Sequence, residues 1–102
     1  MAGPRSKLQQ HEIDAFAGPA GWRCDGGALS KDIPFSAYRD GVAFAVAVAM
    51  LADQRDHHPD LGLGYGKVSV RWSTHDAGGI TGLDIELARA TDELAARHGA
   101  QG

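Results

Sequence analysis

The sequence predicts an α+β domain in which three helices lie on one face of a four-stranded antiparallel sheet. Three observations support this fold class: a run with the two-residue alternation of a strand, glycine turns that join strands into hairpins, and helix caps between the hairpins. The predicted order of elements is α-β-β-α-β-β-α, with one face of the sheet solvated. We expect residues 1–102 to form a single domain, because the chain has no internal repeat and no dividing linker.

The first part of the chain predicts a helix and then a hairpin. Ser6-Lys7-Leu8-Gln9 fits a capping box, so we expect a helix from about Lys7 to Phe16 that stops at Gly18-Pro19. A diglycine turn then suits a tight hairpin. The two strands and the turn between them are expected at residues 21–24, 28–33 and 25–27.

The segment from Ser36 to Asp53 predicts the central helix, with Ser36 as its cap. Its larger apolar residues alternate with alanines, which by period alone would also fit a strand. Alanine is the best helix former and is depleted in strands, so we favour a helix. Such a helix is apolar on two sides, and we expect one side on the sheet and the other against a neighbouring helix or a second subunit. The two sides consist of Tyr38, Val42, Val46 and Met50, and of Phe44, Val48 and Leu51.

The last part of the chain predicts a second hairpin and a final helix. Residues 61–65 and 67–73 form the expected strands, with a turn near Gly66 and a regular alternation of apolar and polar side chains in the second strand. Thr81-Gly82-Leu83-Asp84 predicts the cap of the final helix, and Gly99 its end. The buried stripe of this helix is expected to be Leu83, Leu87, Ala90 and Leu94.

Composition excludes several classes of function. The formal charge of −3 comes without a basic stripe, which argues against direct binding of nucleic acid. Cys24 is the only cysteine, so neither an intrachain disulfide nor a thiolate metal cluster can form. The longest apolar run, residues 42–52, is shorter than the about 20 residues of a membrane span, and no signal-peptide pattern opens the chain. We therefore expect a cytoplasmic protein without membrane contact.

Residues 56–60 (Asp-His-His-Pro-Asp) and 74–76 (Thr-His-Asp) hold three of the five histidines. Histidine, with an unperturbed pKa of about 6.5, gains or loses a proton near neutral pH. Pro59 restricts His58 to extended geometry, so this segment leaves the helix. If the hairpin turns near Gly66, His75 returns to the level of His58. We expect the three imidazoles to line one pocket at the edge of the sheet.

Three interpretations of this cluster are open. Each histidine could be an ordinary surface residue, or the histidines could bind zinc with an oxygen from Asp84. Adjacent histidines diverge from an extended backbone, however, and rarely serve one tetrahedral ion. Acid–base chemistry on an organic substrate fits best, since it needs one group to give a proton and another to take one. Asp84 itself could either cap the final helix or support this site.

At these residues the chain resembles the pterin-4a-carbinolamine dehydratase family. The family signature has a charged residue, three intervening residues and His-His-Pro, then an aromatic residue, a histidine and an aspartate at fixed spacings. Asp53, His57-His58-Pro59, Tyr65, His75 and Asp84 match it at every position. The resemblance covers nearly the whole chain, and its further matches are Gly21-Trp22, Phe35, Thr74-His75 and Gly82-Leu83.

The resemblance implies a dehydratase that converts a 4a-hydroxytetrahydropterin to the quinonoid dihydropterin and water. Family members thereby recycle tetrahydrobiopterin after aromatic amino acid hydroxylation, and they need no metal and no other cofactor. The resemblance implies as catalytic residues His57, His58 and His75. It implies as pterin-contacting residues His57, His58, Pro59, Thr74, His75, Asp76 and Ala77, and as supporting residues Asp53 and Asp84.

Of the three histidines, we expect His57 and His75 to act as the acid–base pair and His58 to bind or support the ligand. The resemblance also implies a homodimer or tetramer, with an aromatic amino acid hydroxylase as a candidate partner. Two other roles are open: a pterin-binding module without catalysis, and a dimerisation or transcriptional coactivator module. For that last role Phe44, Val48 and Leu51 could serve as contact residues, but they equally suit a plain homodimer.

Overall fold

The computed structural model of the chain describes residues 5–101. Its order of elements is the predicted α-β-β-α-β-β-α, with one turn of 3-10 helix before the last α-helix. The elements are α1 (Gln10–Ala20), β1 (Arg23–Asp25), β2 (Ala28–Pro34), α2 (Tyr38–Gln54), β3 (Asp60–Gly64), β4 (Lys67–Trp72), the 3-10 turn (His75–Ala77) and α3 (Gly82–Arg97).

The four strands form one antiparallel sheet in the order β1-β2-β4-β3. Two-residue turns close both hairpins, at Gly26–Gly27 and at Tyr65–Gly66. Both residues of the first turn have positive φ, 58° and 78°, a conformation that glycine adopts without a steric penalty. The helices cover one face of the sheet and leave the other face open, as predicted.

The core lies between the sheet and the helices. In β4 the side chains of Val68, Val70 and Trp72 are buried, whereas the alternate side chains are exposed or half-buried, which confirms the predicted alternation. The helices contribute fully buried side chains such as Phe44 and Leu87. Lys31 also lies on the helix side of the sheet. There the Asp92 carboxylate accepts one hydrogen bond from the Lys31 ammonium and another from the Trp22 indole N–H, each at 2.9 Å.

The first helix differs from the prediction at both ends. It begins at Gln10, because Gln9 occupies the cap position and its N–H donates to the Glu12 carboxylate at 3.1 Å. Lys7, the predicted first residue, instead forms an isolated β-bridge with Thr81. The helix continues through Pro19, which lies in its exposed last turn, where water can bind the carbonyl that loses its N–H partner.

The central helix is confirmed, but its predicted cap was wrong. Its cap position is held by Ala37 and not by Ser36, and α2 starts at Tyr38. Only one of its two apolar sides is buried within the chain, since Tyr38, Val46 and Met50 are 49%, 56% and 60% exposed. Phe44 and Val48 are fully buried against the sheet and Leu51 is half-buried, so these residues cannot serve as the outer contact surface that was expected.

The last helix has the predicted cap and end. Thr81 is its N-cap in a capping box with Asp84, and Gly99, with φ 82°, follows its C-cap. Its buried stripe includes Leu83 and Leu87 but then turns to Ala88, Thr91 and Ala95, which leaves the expected Ala90 and Leu94 half-buried. Within residues 5–101, every helix falls short of the length and apolar character that a membrane span needs.

Candidate active site

The C-terminal end of α2 places His57 in the protein interior. Asp56 has φ 49°, in the left-handed region, and reverses the chain so that the His57 N–H donates back to the Ala52 carbonyl at 3.1 Å. The His57 side chain is therefore buried and lies flat against Trp72, with ring centroids 5.8 Å apart and planes inclined by 10°. The helix end and the core thus fix the position of one imidazole.

Asp84 holds this imidazole from the other side of the site. Its Oδ1 lies 2.6 Å from His57 Nε2. Its Oδ2 accepts the Thr81 N–H at 2.9 Å, the Thr74 hydroxyl at 2.8 Å and the Thr81 hydroxyl at 3.3 Å. Asp84 is fully buried, so it both caps α3 and contacts the histidine, which unites the two alternatives open from the sequence.

This network fixes the tautomer of His57. The oxygens of a carboxylate are acceptors only, so a carboxylate at this position supplies no hydrogen to the His57 ring. His57 Nε2 must therefore carry the hydrogen that it shares with Asp84. Nδ1 is then the ring nitrogen that can take up and release a proton. The arrangement gives one buried, oriented imidazole with a single exchangeable site.

The end of β4 places Thr74 and His75 on opposite sides of the backbone. Thr74 and Gly79 exchange backbone hydrogen bonds of 3.0 and 3.3 Å, which closes a loop around the 3-10 turn. The Thr74 side chain is buried and donates to Asp84, whereas the His75 side chain is exposed. The same loop therefore supports Asp84 and presents a second imidazole to solvent.

The three histidines converge on one cleft of about 280 Å³. His58 is largely exposed there, and its Nε2 lies 3.9 Å from the Asp53 carboxylate. The cleft is lined by Arg5, Asp56, His57, His58, Ser73, Thr74, His75 and Asp76. Imidazoles from two segments that are distant in sequence thus share one polar cavity.

A family model described as pterin 4 alpha carbinolamine dehydratase matches residues 6–94. The chain belongs to this family. Proteins provisionally named pterin-4-alpha-carbinolamine dehydratase are similar to it: one from Natronomonas pharaonis is 46% identical over 87% of this chain and 96% of its own length. Another, from Streptomyces coelicolor, is 39% identical over 95% of this chain and 98% of its own length.

Two solved structures of related proteins share the fold. A protein described as a transcriptional coactivator/pterin dehydratase from Brucella melitensis superposes with a TM-score of 0.82 at 28% identity, covering 88% of this chain and 99% of that one. A pterin dehydratase-like protein described as a RuBisCO assembly factor of the alpha-carboxysome gives 0.63 at 26% identity, covering 72% of this chain and 88% of that one. The family fold therefore occurs in proteins with different described roles.

Some residues of the predicted site and of the family signature do not line the cleft. Pro59 and Ala77 are not among its lining residues, and Asp53 is a mainly exposed neighbour of His58. Tyr65 lies in the turn between β3 and β4, is 89% exposed and stacks on Tyr38 with centroids 6.4 Å apart. It therefore lies in the turn and not in the strand that the sequence predicted over residues 61–65.

Three lining residues were missed by the sequence reasoning. Asp56 and Ser73 are direct neighbours of predicted site residues, and their position beside them was an available signal. Arg5 lies 50 residues before Arg55, whose carbonyl it contacts at 3.4 Å, and nothing local in the sequence indicates this. Among residues 5–101, no three His, Cys, Asp or Glu side chains are grouped so that they could hold a metal ion.

Proposed function

We propose that this protein dehydrates 4a-hydroxytetrahydropterins to quinonoid dihydropterins, using the histidines of the cleft as acid and base. The observation that carries the proposal is the convergence of His57, His58 and His75 on one cleft in a chain of this family. A cleft of about 280 Å³ is close to the lower end of small-molecule pockets, about 300 Å³, and suits a bicyclic ring.

The reaction needs one proton donor and one proton acceptor. The C4a–O bond breaks as the hydroxyl takes a proton and leaves as water. The N5 proton goes to a base, and the electrons of that N–H bond form the C4a=N5 double bond. One protonated and one neutral imidazole supply this pair. The reaction reverses their protonation states, and proton exchange with solvent then restores them.

We assign the acid–base pair to His57 and His75. His57 is oriented by Asp84 and Trp72 and has one exchangeable nitrogen, Nδ1, as a base or acid with a fixed direction requires. His75 is exposed in the same cleft, where it can exchange protons with solvent.

The other cleft residues would bind and position the pterin. His58 is assigned to ligand binding, since its side chain is 65% exposed in the cleft and contacts only the edge of the exposed Asp53 carboxylate, at 3.9 Å, among the ion pairs of the described residues. Thr74 and Asp76 line the cleft and would contact the ring. Pro59 and Ala77 would act through the backbone that they shape, because neither lines the cleft.

The cellular part of the proposal is tetrahydrobiopterin recycling in the cytoplasm, beside an aromatic amino acid hydroxylase. We also propose that the protein is a homodimer or tetramer. The observation that supports self-association is the exposed apolar side of α2, with Tyr38, Val46 and Met50.

A non-catalytic binding or assembly role is the second candidate. It is favoured by the solved relative that is described as a RuBisCO assembly factor, since that protein has this fold at 26% identity. Such a module could keep the cleft for pterin binding and use another surface for its partner. The two candidates differ in turnover, which is measurable.

The test is stopped-flow dehydration of a 4a-hydroxytetrahydropterin by wild type, His57→Ala and His75→Ala. We expect each variant to lose roughly 10²- to 10⁴-fold in rate, the size typical of a removed general acid or base. His11→Ala is the matched control, because His11 is exposed on α1, away from the cleft. Pterin binding without acceleration by wild type would favour the binding module, and stoichiometric zinc on these histidines would contradict the dehydratase.

A further inference from the structure

The N-terminal segment that precedes α1 is attached to the residues just before α3. The Leu8 N–H donates to the Ile80 carbonyl at 2.9 Å, and Lys7 forms an isolated β-bridge with Thr81. The Lys7 stem also covers Gly79, where a Cβ would lie 3.1 Å from the Lys7 Cε. These contacts fix where the chain before Lys7 runs, and it runs toward the histidine cleft.

Arg5, two residues before these contacts, lines the histidine cleft. Its Nη2 lies 3.4 Å from the Arg55 carbonyl and 3.4 Å from the Asp56 carbonyl, at the C-terminal end of α2. Carbonyls at this end of a helix lack partners within the helix and carry partial negative charge, so they attract a guanidinium. The end of α2 therefore holds a cation in the wall of the cleft, next to the backbone that leads into His57.

Arg5 keeps most of its donors available. A guanidinium has several N–H donors in a planar fork, and among the contacts of Arg5 with residues 5–101 only Nη2 is engaged. Both contacts are long for a charged donor, whose hydrogen bonds are usually about 2.7–2.9 Å. The side chain is exposed, so its remaining N–H groups can donate to a ligand in the cleft.

The charges around the cleft do not favour an anion. Among the described residues that line it, Arg5 alone has a permanent positive charge, whereas Asp56 and Asp76 are exposed carboxylates. Asp53 and the buried Asp84 add negative charge from outside, since each contacts one of the three histidines. The lining residues therefore have no net positive charge unless at least two histidines are protonated. A neutral ring with acceptors and donors along one edge suits them better.

A pterin has such an edge, because its 4-oxo oxygen accepts a hydrogen bond and its N3–H donates one. Arg5 and Asp56 are neighbours in the cleft, since the guanidinium contacts the Asp56 carbonyl. They offer a donor beside a carboxylate acceptor, which complements this edge. The 4-oxo group is bonded to the carbon next to C4a, so a donor that holds it also positions the carbon from which water leaves.

We infer that Arg5 binds the 4-oxo oxygen of the pterin and thereby selects 4-oxopteridines over 4-aminopteridines. The inference rests on the proposed function in one respect, that the pterin ring occupies the histidine cleft. A 4-amino compound reverses the pattern of this edge, since its amino group is a donor and its N3 an acceptor. Arg5 acts on binding and takes no part in the proton transfers.

The test uses two stable ligands, a C6-methyl dihydropterin and its 4-amino analogue. Affinities are measured by calorimetric titration for wild type, Arg5→Ala and Arg5→Lys, at a pH at which both compounds are neutral. We expect wild type to bind the 4-oxo compound about tenfold more tightly, the size of one hydrogen bond to a charged group. Arg5→Ala should lose this preference by weakening the 4-oxo compound. Arg5→Lys keeps the charge without the planar fork and should retain part of it.

Dehydration kinetics give a second measurement. Arg5→Ala should raise KM about tenfold and leave kcat largely unchanged, because the interaction is equally strong in the ground state and the transition state. Arg55→Ala is the matched control. Arg55 belongs to the same helix end, but its guanidinium pairs with Glu86 at 2.6 Å and does not line the cleft, so the preference and KM should stay as in wild type. Urea unfolding of each variant checks that it is folded.

The inference is overturned if wild type binds neither compound, if it does not discriminate between them, or if Arg5→Ala keeps the preference. Equal weakening of both compounds, or a fall in kcat with the preference intact, would show that Arg5 only supports the end of α2 and would also overturn it. The dehydration assay of wild type is read separately. Selectivity that depends on Arg5, without turnover by wild type, would contradict the proposed enzyme and support this binding role.

Discussion

Asp84 joins the local structure of α3 to the chemistry proposed for His57. Its two carboxylate oxygens contact different groups: Oδ2 accepts the Thr81 N–H at the start of the helix, and Oδ1 contacts the His57 imidazole. Asparagine at this position keeps one oxygen but replaces the other with an NH₂ group. If the oxygen stays with the cap, the NH₂ faces the His57 Nε2–H, and two donors oppose each other.

We therefore expect Asp84→Asn to shift His57 to the other tautomer and to lower kcat roughly 10- to 100-fold, as losses of orienting partners do. The variant should also lose about 1–3 kcal/mol of unfolding free energy, because a buried polar group loses its partner. Asp92→Asn is the matched control, since Asp92 also accepts from two side chains but lies outside the cleft. Dehydration kinetics, ¹⁵N shifts of His57 and denaturant unfolding measure these effects.

An unchanged His57 spectrum with full activity in Asp84→Asn would contradict the assigned tautomer. A loss of stability without any loss of kcat would leave Asp84 as a helix cap alone. At this scale the sequence predicted that His57, His58 and His75 share one cleft, because their spacing carried the signal, whereas their roles stay a prediction. It could not predict Arg5 in the cleft, since that contact depends on how an N-terminal segment crosses the folded domain.

The end of α2 is the element that aims His57, and it depends on the left-handed backbone at Asp56. A β-branched residue is strained in that conformation, whereas glycine adopts it freely. We expect Asp56→Val to cost about 1–2 kcal/mol of unfolding free energy and to lower activity, and Asp56→Gly to be nearly neutral in stability. Urea unfolding and kcat of both variants test this, and equal stabilities would show that the helix end does not need this backbone.

The open face of the sheet carries a polar cluster around Asp32. The Ser69 hydroxyl donates to its carboxylate at 2.8 Å and, together with the charges of Lys67 and Arg23, holds the pKa of Asp32 below its ordinary value of 3.8. A group with a lowered folded-state pKa stabilises the fold above its unfolded pKa, and this contribution is lost as pH falls through the folded value. The effect on stability is therefore confined to acid conditions.

We expect Ser69→Ala to raise the pKa of Asp32 toward 3.8, because the hydrogen bond is the largest of the lowering effects. Carboxyl ¹³C titration of Asp32 in wild type and variant measures the shift directly. Ser36→Ala is the control, as Ser36 is exposed and lies between β2 and α2. An identical titration curve for Asp32 in Ser69→Ala would contradict the assignment of the hydrogen bond.

The elements themselves were predictable to different degrees. Strand β4 followed from its alternation and the hairpin turns from their glycines, because both signals are local. The start of α1 did not, since the capping box expected at Ser6-Lys7-Leu8-Gln9 is replaced in the structure by one between Gln9 and Glu12. Lys7, the first helical residue in the prediction, pairs instead with Thr81 in an isolated β-bridge. This pairing joins residues that are far apart in the sequence, so no local pattern indicates it.

At the scale of the whole molecule, the order of elements followed from the sequence, but the surface that remains exposed did not. The two apolar sides of α2 look equivalent in sequence, and only the packing decides that Phe44 and Val48 lie on the sheet. The side with Tyr38, Val46 and Met50 is left in solvent within the single chain. A monomer rarely keeps such a side uncovered, which is why self-association is proposed through this side of α2.

Val46→Glu tests that proposal, because Val46 is 56% exposed and a glutamate there can remain in solvent in the single chain. If two copies bury this side of α2 against each other, the carboxylate would have to be desolvated in the interface, and the assembly should dissociate. We expect sedimentation equilibrium to give an oligomer for wild type and a monomer for Val46→Glu, with α-helical content unchanged. Ala15→Glu, an exposed position on α1, should remain oligomeric. A monomeric wild type would contradict self-association. An oligomer that survives Val46→Glu would contradict association through this side of α2 and would indicate another interface, such as the edge of the sheet at β3.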